Sequence, residues 1–162
     1  MRVGGFDPGK FFGYGVVEDG RLVCSGTWEL VHAKGEDPGL RYFRLFHRLA
    51  DLGPVDASMC ETKFALKGTG TQNLLVTGGY LATVRTWGVS HQADPMTTIA
   101  PSSLKLRTTG HGRASKADMA AWASHRSGQD IRDEHEADAV CAAFLHYDER
   151  TQGLADIEWT RS

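Results

Sequence analysis

Three acids stand where an acid is unfavourable unless it is used. Asp7 and Glu61 close the apolar runs Arg2 to Phe6 and Val55 to Cys60. Asp138 lies between Ala137 and Ala139 on a helix-spaced apolar face that continues through Val140, Cys141 and Phe144. A carboxylate set against a core costs several kcal/mol unless it is paired, hydrogen-bonded or bound to a cation. Singly, Asp7 reads as a turn former, Glu61 as an edge-strand charge and Asp138 as a solvated helix residue. Together they read differently, because no one base near them in sequence neutralises all three, and oxygen ligands brought from separate elements hold a hard divalent cation. His135 precedes Asp138 by three residues, so the two share a helix face, with a solvated helix-start residue as the alternative. The string His135-Glu136-Ala137-Asp138-Ala139 begins like a zinc-peptidase helix but has Ala139 where the second histidine belongs. There is no P-loop and no G-x-S-x-G elbow, and Gly13-Tyr14-Gly15 does not complete a dinucleotide fingerprint.

The charge distribution points to a polyanion. The net charge is only −2. From Thr62 to Ala117, however, seven bases (Lys63, Lys67, Arg85, Lys105, Arg107, Arg113, Lys116) face one acid, Asp94, a balance of +6 that leaves 11 bases and 19 acids, or −8, elsewhere. A focused positive field of this kind attracts phosphate. Uneven solvated charge with no partner is the plainer alternative.

The elements that must carry these groups can be read in order. Arg2 to Phe6 is a short buried strand ending at Asp7, and Pro8-Gly9 is a turn. Phe11 to Val17 and Arg21 to Leu30 are strands joined at Asp19-Gly20, a hairpin signal, so the chain opens with an antiparallel meander. Asp37 and Pro38 start a helix that runs to about Leu52. Val55 to Cys60 is a strand reached through that helix and is therefore expected parallel to the first. Thr71 to Trp87 reads as a helix weakened by Gly78-Gly79. Met96 to Ile99 is a fifth strand and Pro101 to Leu106 a helical turn. Gly110-His111-Gly112 is a loop, Ser115 caps a helix ending before Gly128, and Asp133 caps a last helix to about Tyr147. These make an α/β fold with one mixed sheet covered by helices.

The 162 residues, 41% hydrophobic and 23% charged, suit one folded domain over 1–162, with a flexible tail expected from about residue 151. The longest charge-free run, Gly68 to Val84, is broken by polar residues and glycines, and the first residues carry an acid where a signal peptide is apolar. An intracellular, cytoplasmic protein without a membrane partner is expected. Cys24, Cys60 and Cys141 are odd in number and widely spaced, which predicts reduced structural thiols.

Several strings in this order resemble the RuvC-type Holliday-junction resolvases of the ribonuclease H-like superfamily. They are Gly5-Phe6-Asp7-Pro8-Gly9, Gly13-Tyr14-Gly15-Val16-Val17, Glu61 with Phe64, Pro101 to Lys116, and Glu136-Ala137-Asp138-Ala139-Val140. The resemblance covers nearly the whole chain. It implies a ribonuclease H-like five-stranded mixed sheet flanked by helices, a homodimer, and Asp7, Glu61 and Asp138 as metal-binding carboxylates. His135 falls where many members carry a further acid and some a histidine. The implied activity is a magnesium-dependent endonuclease with two ions roughly 4 Å apart per site, manganese also serving, that makes paired nicks in four-way junctions and leaves 5′-phosphate and 3′-hydroxyl ends. Lys105 and Lys116 match lysines used near the scissile strand, and Arg107, His111 and Arg113 fit a phosphate-contacting loop. Phe64 matches an aromatic presented to the junction core, flanked by Lys63 and Lys67; a core phenylalanine is the competing reading. Two further functions stay open: a phage-type nuclease acting on flaps, forks and replication branches, and a non-catalytic nucleic-acid-binding member of the fold. A branch-migration motor as partner is not specified by the residues.

Overall fold

Residues 1–62 and 71–159 are described by the computed structural model. Five strands, β1 (Arg2–Asp7), β2 (Phe11–Glu18), β3 (Arg21–Glu29), β4 (Ala57–Glu61) and β5 (Thr97–Ile99), form one sheet in the order β3-β2-β1-β4-β5. The first three make the antiparallel meander, and β4 and β5 add in parallel on the other side of β1. The β2–β3 turn places both Asp19 (φ 48°) and Gly20 (φ 79°) in the left-handed region, the geometry that a tight hairpin needs. Cys24, Cys60 and Cys141 are all free. Among the described residues no helix is long and apolar enough to cross a membrane.

Side chains alternate across the sheet, and the two faces carry different sizes of residue. Phe6, Phe12 and Val16 face a core shared with α1 (Leu40–Leu52) and α2 (Thr71–Ser90). The opposite face meets α5 (Glu134–Trp159), backed by α4 (Lys116–Ser127) and α3 (Pro101–Thr109), around Val17, Met59, Val140 and Phe144. On that face β1 and β2 present Gly5, Gly13 and Gly15. The result is three layers, helices on both sides of a mixed sheet, as expected for a ribonuclease H-like fold.

Four boundaries differ from the sequence reading. Asp37 does not start α1: its Oδ1 accepts from Gly39 N at 2.6 Å, which closes a turn, and the helix begins at Leu40. Strand β4 starts at Ala57, because Asp56 is occupied outside the ladder, with Oδ2 accepting from Arg2 N at 2.7 Å and its carbonyl from Asp94 N at 2.8 Å. Pro101 opens a nine-residue helix rather than one turn, anchored by buried Leu104 and stopped by Gly110 in the left-handed region. Helix α5 continues well past Tyr147, since Asp148, Glu149 and Arg150 are each tied to another element by Arg126, Arg107 and Asp94 respectively. The expected weakness at Gly78-Gly79 has a packing reason at Gly79, where a Cβ would fall 2.4 Å from the Tyr42 ring of α1.

Candidate active site

Register brings the first two acids together. In the β1–β4 ladder Phe6 lies opposite Cys60, so the next residues, Asp7 and Glu61, end adjacent parallel strands. Period-two alternation from Gly5 and Met59 turns both toward the α5 face. Both are buried, at 7% and 4% exposure, which is unusual for acids.

The third element is delivered by glycine. A Cβ on Gly13 would stand 1.9 Å from the His135 carbonyl oxygen, one on Gly5 2.1 Å from that of Ala139, and one on Gly15 3.0 Å from Val140. Only hydrogen at these three positions lets the backbone of α5 lie directly on β1 and β2. The start of the helix is then pinned in rotation. Asp133 Oδ1 accepts from the backbone N–H groups of His135 (3.0 Å) and Glu136 (2.9 Å) and from the Thr27 hydroxyl (2.5 Å), and the Ser25 hydroxyl donates to Glu136 Oε1 at 2.7 Å. Asp133 is therefore the predicted N-cap, clamped from β3. Burial works against its charge, but these hydrogen bonds prevail and hold its pKa below the usual value.

So held, α5 sets His135 Nδ1 2.7 Å from Asp7 Oδ2. That hydrogen bond raises the His135 pKa above the ordinary imidazole value; burial opposes it, and the charges of Asp7, Asp133 and Asp138 add to it. The Phe11 ring stacks on His135 at 5.9 Å, and Lys10 Nζ lies 5.0 Å over Phe11. On the other side His135 Nε2 is 3.6 Å from Glu134 Oε1, and Glu134 is ion-paired with Lys116 of α4. The charges of Asp138 and Glu61 both act on Cys141: burial is the main cause of its raised thiol pKa, and the two carboxylates push it further. Asp7, Glu61, His135 and Asp138 thus converge on one end of the sheet from three elements, with Asp7 and His135 in direct contact. Among the described residues no three metal-ligating side chains stand close enough to be a preformed cage. The donor set itself, carboxylate oxygens and one imidazole nitrogen, with Asp7 and Glu61 buried and His135 and Asp138 half-buried, fits a hard divalent cation.

The basic candidates separate by position. Lys116 is joined to the site through Glu134. Lys105 is half-buried on α3, and His111 and Arg113 are exposed on the loop between α3 and α4. Arg107 is ion-paired with Glu149, which at 1.5 Å per residue lies about 21 Å along α5 from His135, so it is not gathered at the acids. Lys63, Phe64 and Lys67 fall outside the described residues.

Sequence reasoning missed Phe11, Thr27 and the role of the glycines. The alternation of Gly13 and Gly15 with the large Phe12, Tyr14 and Val16 was a usable signal: small residues at every second strand position mark a face against which a backbone packs.

Comparison with known proteins follows the same architecture. No family model matches the chain. A RuvC crossover junction endodeoxyribonuclease from Anaeromyxobacter sp. (strain Fw109-5) is 32% identical over 158 residues, 93% of this chain and 75% of that protein. The chain belongs to the RuvC family. A RuvC from Halorhodospira halophila is 30% identical over 94% of this chain and 93% of its own length. Among solved structures, Thermus thermophilus RuvC in complex with a Holliday junction substrate superposes with a TM-score of 0.81 at 24% identity, covering 94% of this chain and 96% of that one. A yeast mitochondrial Holliday junction resolvase gives 0.57 at 16% identity, covering 88% of this chain and 75% of that one. These two likenesses establish the fold. The RuvC membership rests on the curated relatives.

Proposed function

We propose that this protein is a metal-dependent endonuclease that resolves four-way DNA junctions by paired, symmetric nicks, leaving 5′-phosphate and 3′-hydroxyl ends. The observation that carries the reading is the buried Asp7 carboxylate, held against His135 and ending the strand beside Glu61, in a chain that belongs to the RuvC family. Asp7, Glu61, His135 and Asp138 would hold two Mg²⁺ ions, with Mn²⁺ able to replace them. When bound, such a pair supplies an activated water and stabilises the leaving oxygen of an in-line phosphodiester displacement.

The chain's own residues do the rest. Thr27 and Asp133 fix the start of α5, so that His135 meets Asp7 without searching rotations. Lys105 and Lys116 lower the cost of bringing a phosphate to three carboxylates, while Arg107, His111 and Arg113 hold more distant phosphates. Phe64, between Lys63 and Lys67 and three residues after Glu61 in sequence, stacks on an unpaired base at the junction core. A homodimer supplies two such sites, one for each nicked strand. The chain works as a single domain over 1–162 in the cytoplasm.

Incubation of the protein with end-labelled junction, fork, flap and duplex DNA, in Mg²⁺, Mn²⁺ or EDTA, tests the reading. Paired nicks in the junction with either metal and none with EDTA are expected. Equal rates on flaps and junctions would instead indicate a general branched-DNA nuclease, and binding without cleavage a non-catalytic member of the fold.

A further inference from the structure

Among the described residues, Arg2, Arg44, Arg107, Arg126, Arg132 and Arg150 each have a carboxylate within ion-pair distance, whereas Arg41, like Arg21, Arg48, Arg85 and Arg113, has none. Arg41, half-buried on α1, is nevertheless held in place. Its Nε donates to the Pro38 carbonyl at 3.1 Å, and its Nη2 lies 2.6 Å from His32 Nδ1. A guanidinium can only donate, so His32 Nδ1 accepts and the ring proton sits on Nε2. A further hydrogen bond joins Arg41 to the Tyr80 side chain, so the guanidinium is fixed by groups none of which is a carboxylate.

A cavity of about 210 Å³ opens beside it, lined by Lys10, Leu30, Val31, His32 and Arg41. The acids around it are otherwise engaged or at the rim. Glu36 accepts from Ala33 N at 2.6 Å and from Arg44, and Glu29 stands 3.9 Å from Lys10 Nζ with more than half of its side chain exposed. The location follows from the strands. Leu30 N donates to the Lys10 carbonyl at 2.8 Å, one step beyond the Phe11–Glu29 pair, so the cavity lies at the same end of the sheet as Asp7, next to the Phe11 that stacks on His135.

We infer that this cavity is a phosphate subsite for DNA, in which Arg41, His32 and Lys10 hold one backbone phosphate of the strand that passes the candidate active site over Phe11. The inference rests on the nuclease reading above and extends the DNA path to the α1 side, away from Lys105 and Lys116. A phosphodiester suits the site because its oxygens accept from a guanidinium fork and need no acceptor from the protein. Such a contact sets the position of the strand without reading its sequence. Free inorganic phosphate offers the same oxygens; continuity with Phe11 and His135 favours DNA.

The test is anisotropy of a labelled four-way junction across a salt series, using the full chain and its Arg41→Gln, Lys10→Gln and Arg21→Gln variants. Arg21 is exposed at the far end of β3 and serves as the control. Arg41→Gln is expected to weaken Kd about tenfold and to lower the slope of log K against log salt by about 0.9, one phosphate's share. Lys10→Gln, at an exposed rim position that leaves the core intact, is expected to weaken Kd a few-fold in the same sense, and Arg21→Gln to change neither quantity. Wild-type Kd and slope in both pocket variants, with the wild type binding and nicking the junction, would overturn the subsite and leave the nuclease reading standing. A wild type that binds no DNA would overturn both. Titration with inorganic phosphate separates the two sources: loss of phosphate binding in Arg41→Gln with junction binding intact would make this a free-anion site and refute the inference.

Discussion

Replacing Gly13 by alanine tests how the site is positioned without touching any group that does chemistry. The new methyl would lie 1.9 Å from the His135 carbonyl oxygen and 2.4 Å from its carbon, where ordinary contact begins at 3.4 Å. Both sides of the clash are backbone, so no rotamer change relieves it, and the first turn of α5 must lift from β2 by up to about 1.5 Å, the difference between those two distances. Overpacking of this kind costs about 1–3 kcal/mol. For a domain of this size that lowers Tm by roughly 2–12 °C, at about 2–4 °C per kcal/mol. The lift also stretches the 2.7 Å His135–Asp7 contact beyond hydrogen-bonding distance. A misplacement of about 1 Å at reacting groups costs on the order of 10²-fold in rate. Gly13→Ala should therefore stay folded at 25 °C, melt a few degrees lower and cut a labelled junction about 10²-fold more slowly in single turnover. Gly15→Ala, whose methyl would meet Val140 at 3.0 Å, should lose less on both measures. A Gly13→Ala protein that cuts and melts like wild type would refute the claim that glycine packing sets His135 against Asp7.

Further outcomes follow from other residues. His135→Ala should lower single-turnover cleavage by about 10²-fold, whereas His135→Asp, which restores an oxygen donor, should keep substantial activity and shift the preference from Mn²⁺ toward Mg²⁺; equal rates for wild type and the alanine variant in both metals would remove His135 from the site. Almost fully buried His146 on α5 faces Arg150, Asp94 and Glu149, and burial, then the Arg150 charge, holds its pKa down to about 4. The folded state therefore keeps it neutral while the unfolded chain protonates near pH 6.5, so its stability contribution is complete above that pH and is lost as pH falls toward 4, by about 3 kcal/mol in all. Urea midpoints for wild type and His146→Gln between pH 7 and 4 check this, and an unchanged pH dependence in the variant would contradict it. Phe64→Ala should impair junction cleavage with little change in Tm; the reverse pattern would make Phe64 a core residue.

The three acids were legible because each broke an apolar pattern, and register and alternation carried that pattern into space: Asp7 and Glu61 end adjacent strands, and Asp138 rides on α5 over both. The meander was equally legible, since Asp19-Gly20 is turn chemistry that few other structures use. The His135–Asp7 contact was not, because a separation of 128 residues leaves no local trace. Nor was the clamp from Thr27 to Asp133, for the same reason. Two element boundaries were misread because a long-range partner overrode local propensity: the start of β4, where Asp56 is taken by Arg2, and the end of α5, where ion pairs at Asp148 to Arg150 carry the helix past the expected stop. Charge counting marked the basic middle but not the pairing of Arg107 with Glu149, a partner 42 residues away in sequence.

Asp7→Asn probes the proposed metal site most directly, because it replaces a charged oxygen ligand with an isosteric amide. The direct measurement is simultaneous: junction binding and paired nicking by wild type and Asp7→Asn over a titration of Mg²⁺ from zero. Expected are no cleavage by either protein without metal, paired nicks by wild type as Mg²⁺ is added, and undiminished junction binding by Asp7→Asn without nicks at any concentration. Mg²⁺-dependent nicking by Asp7→Asn at the wild-type rate would contradict the proposed site.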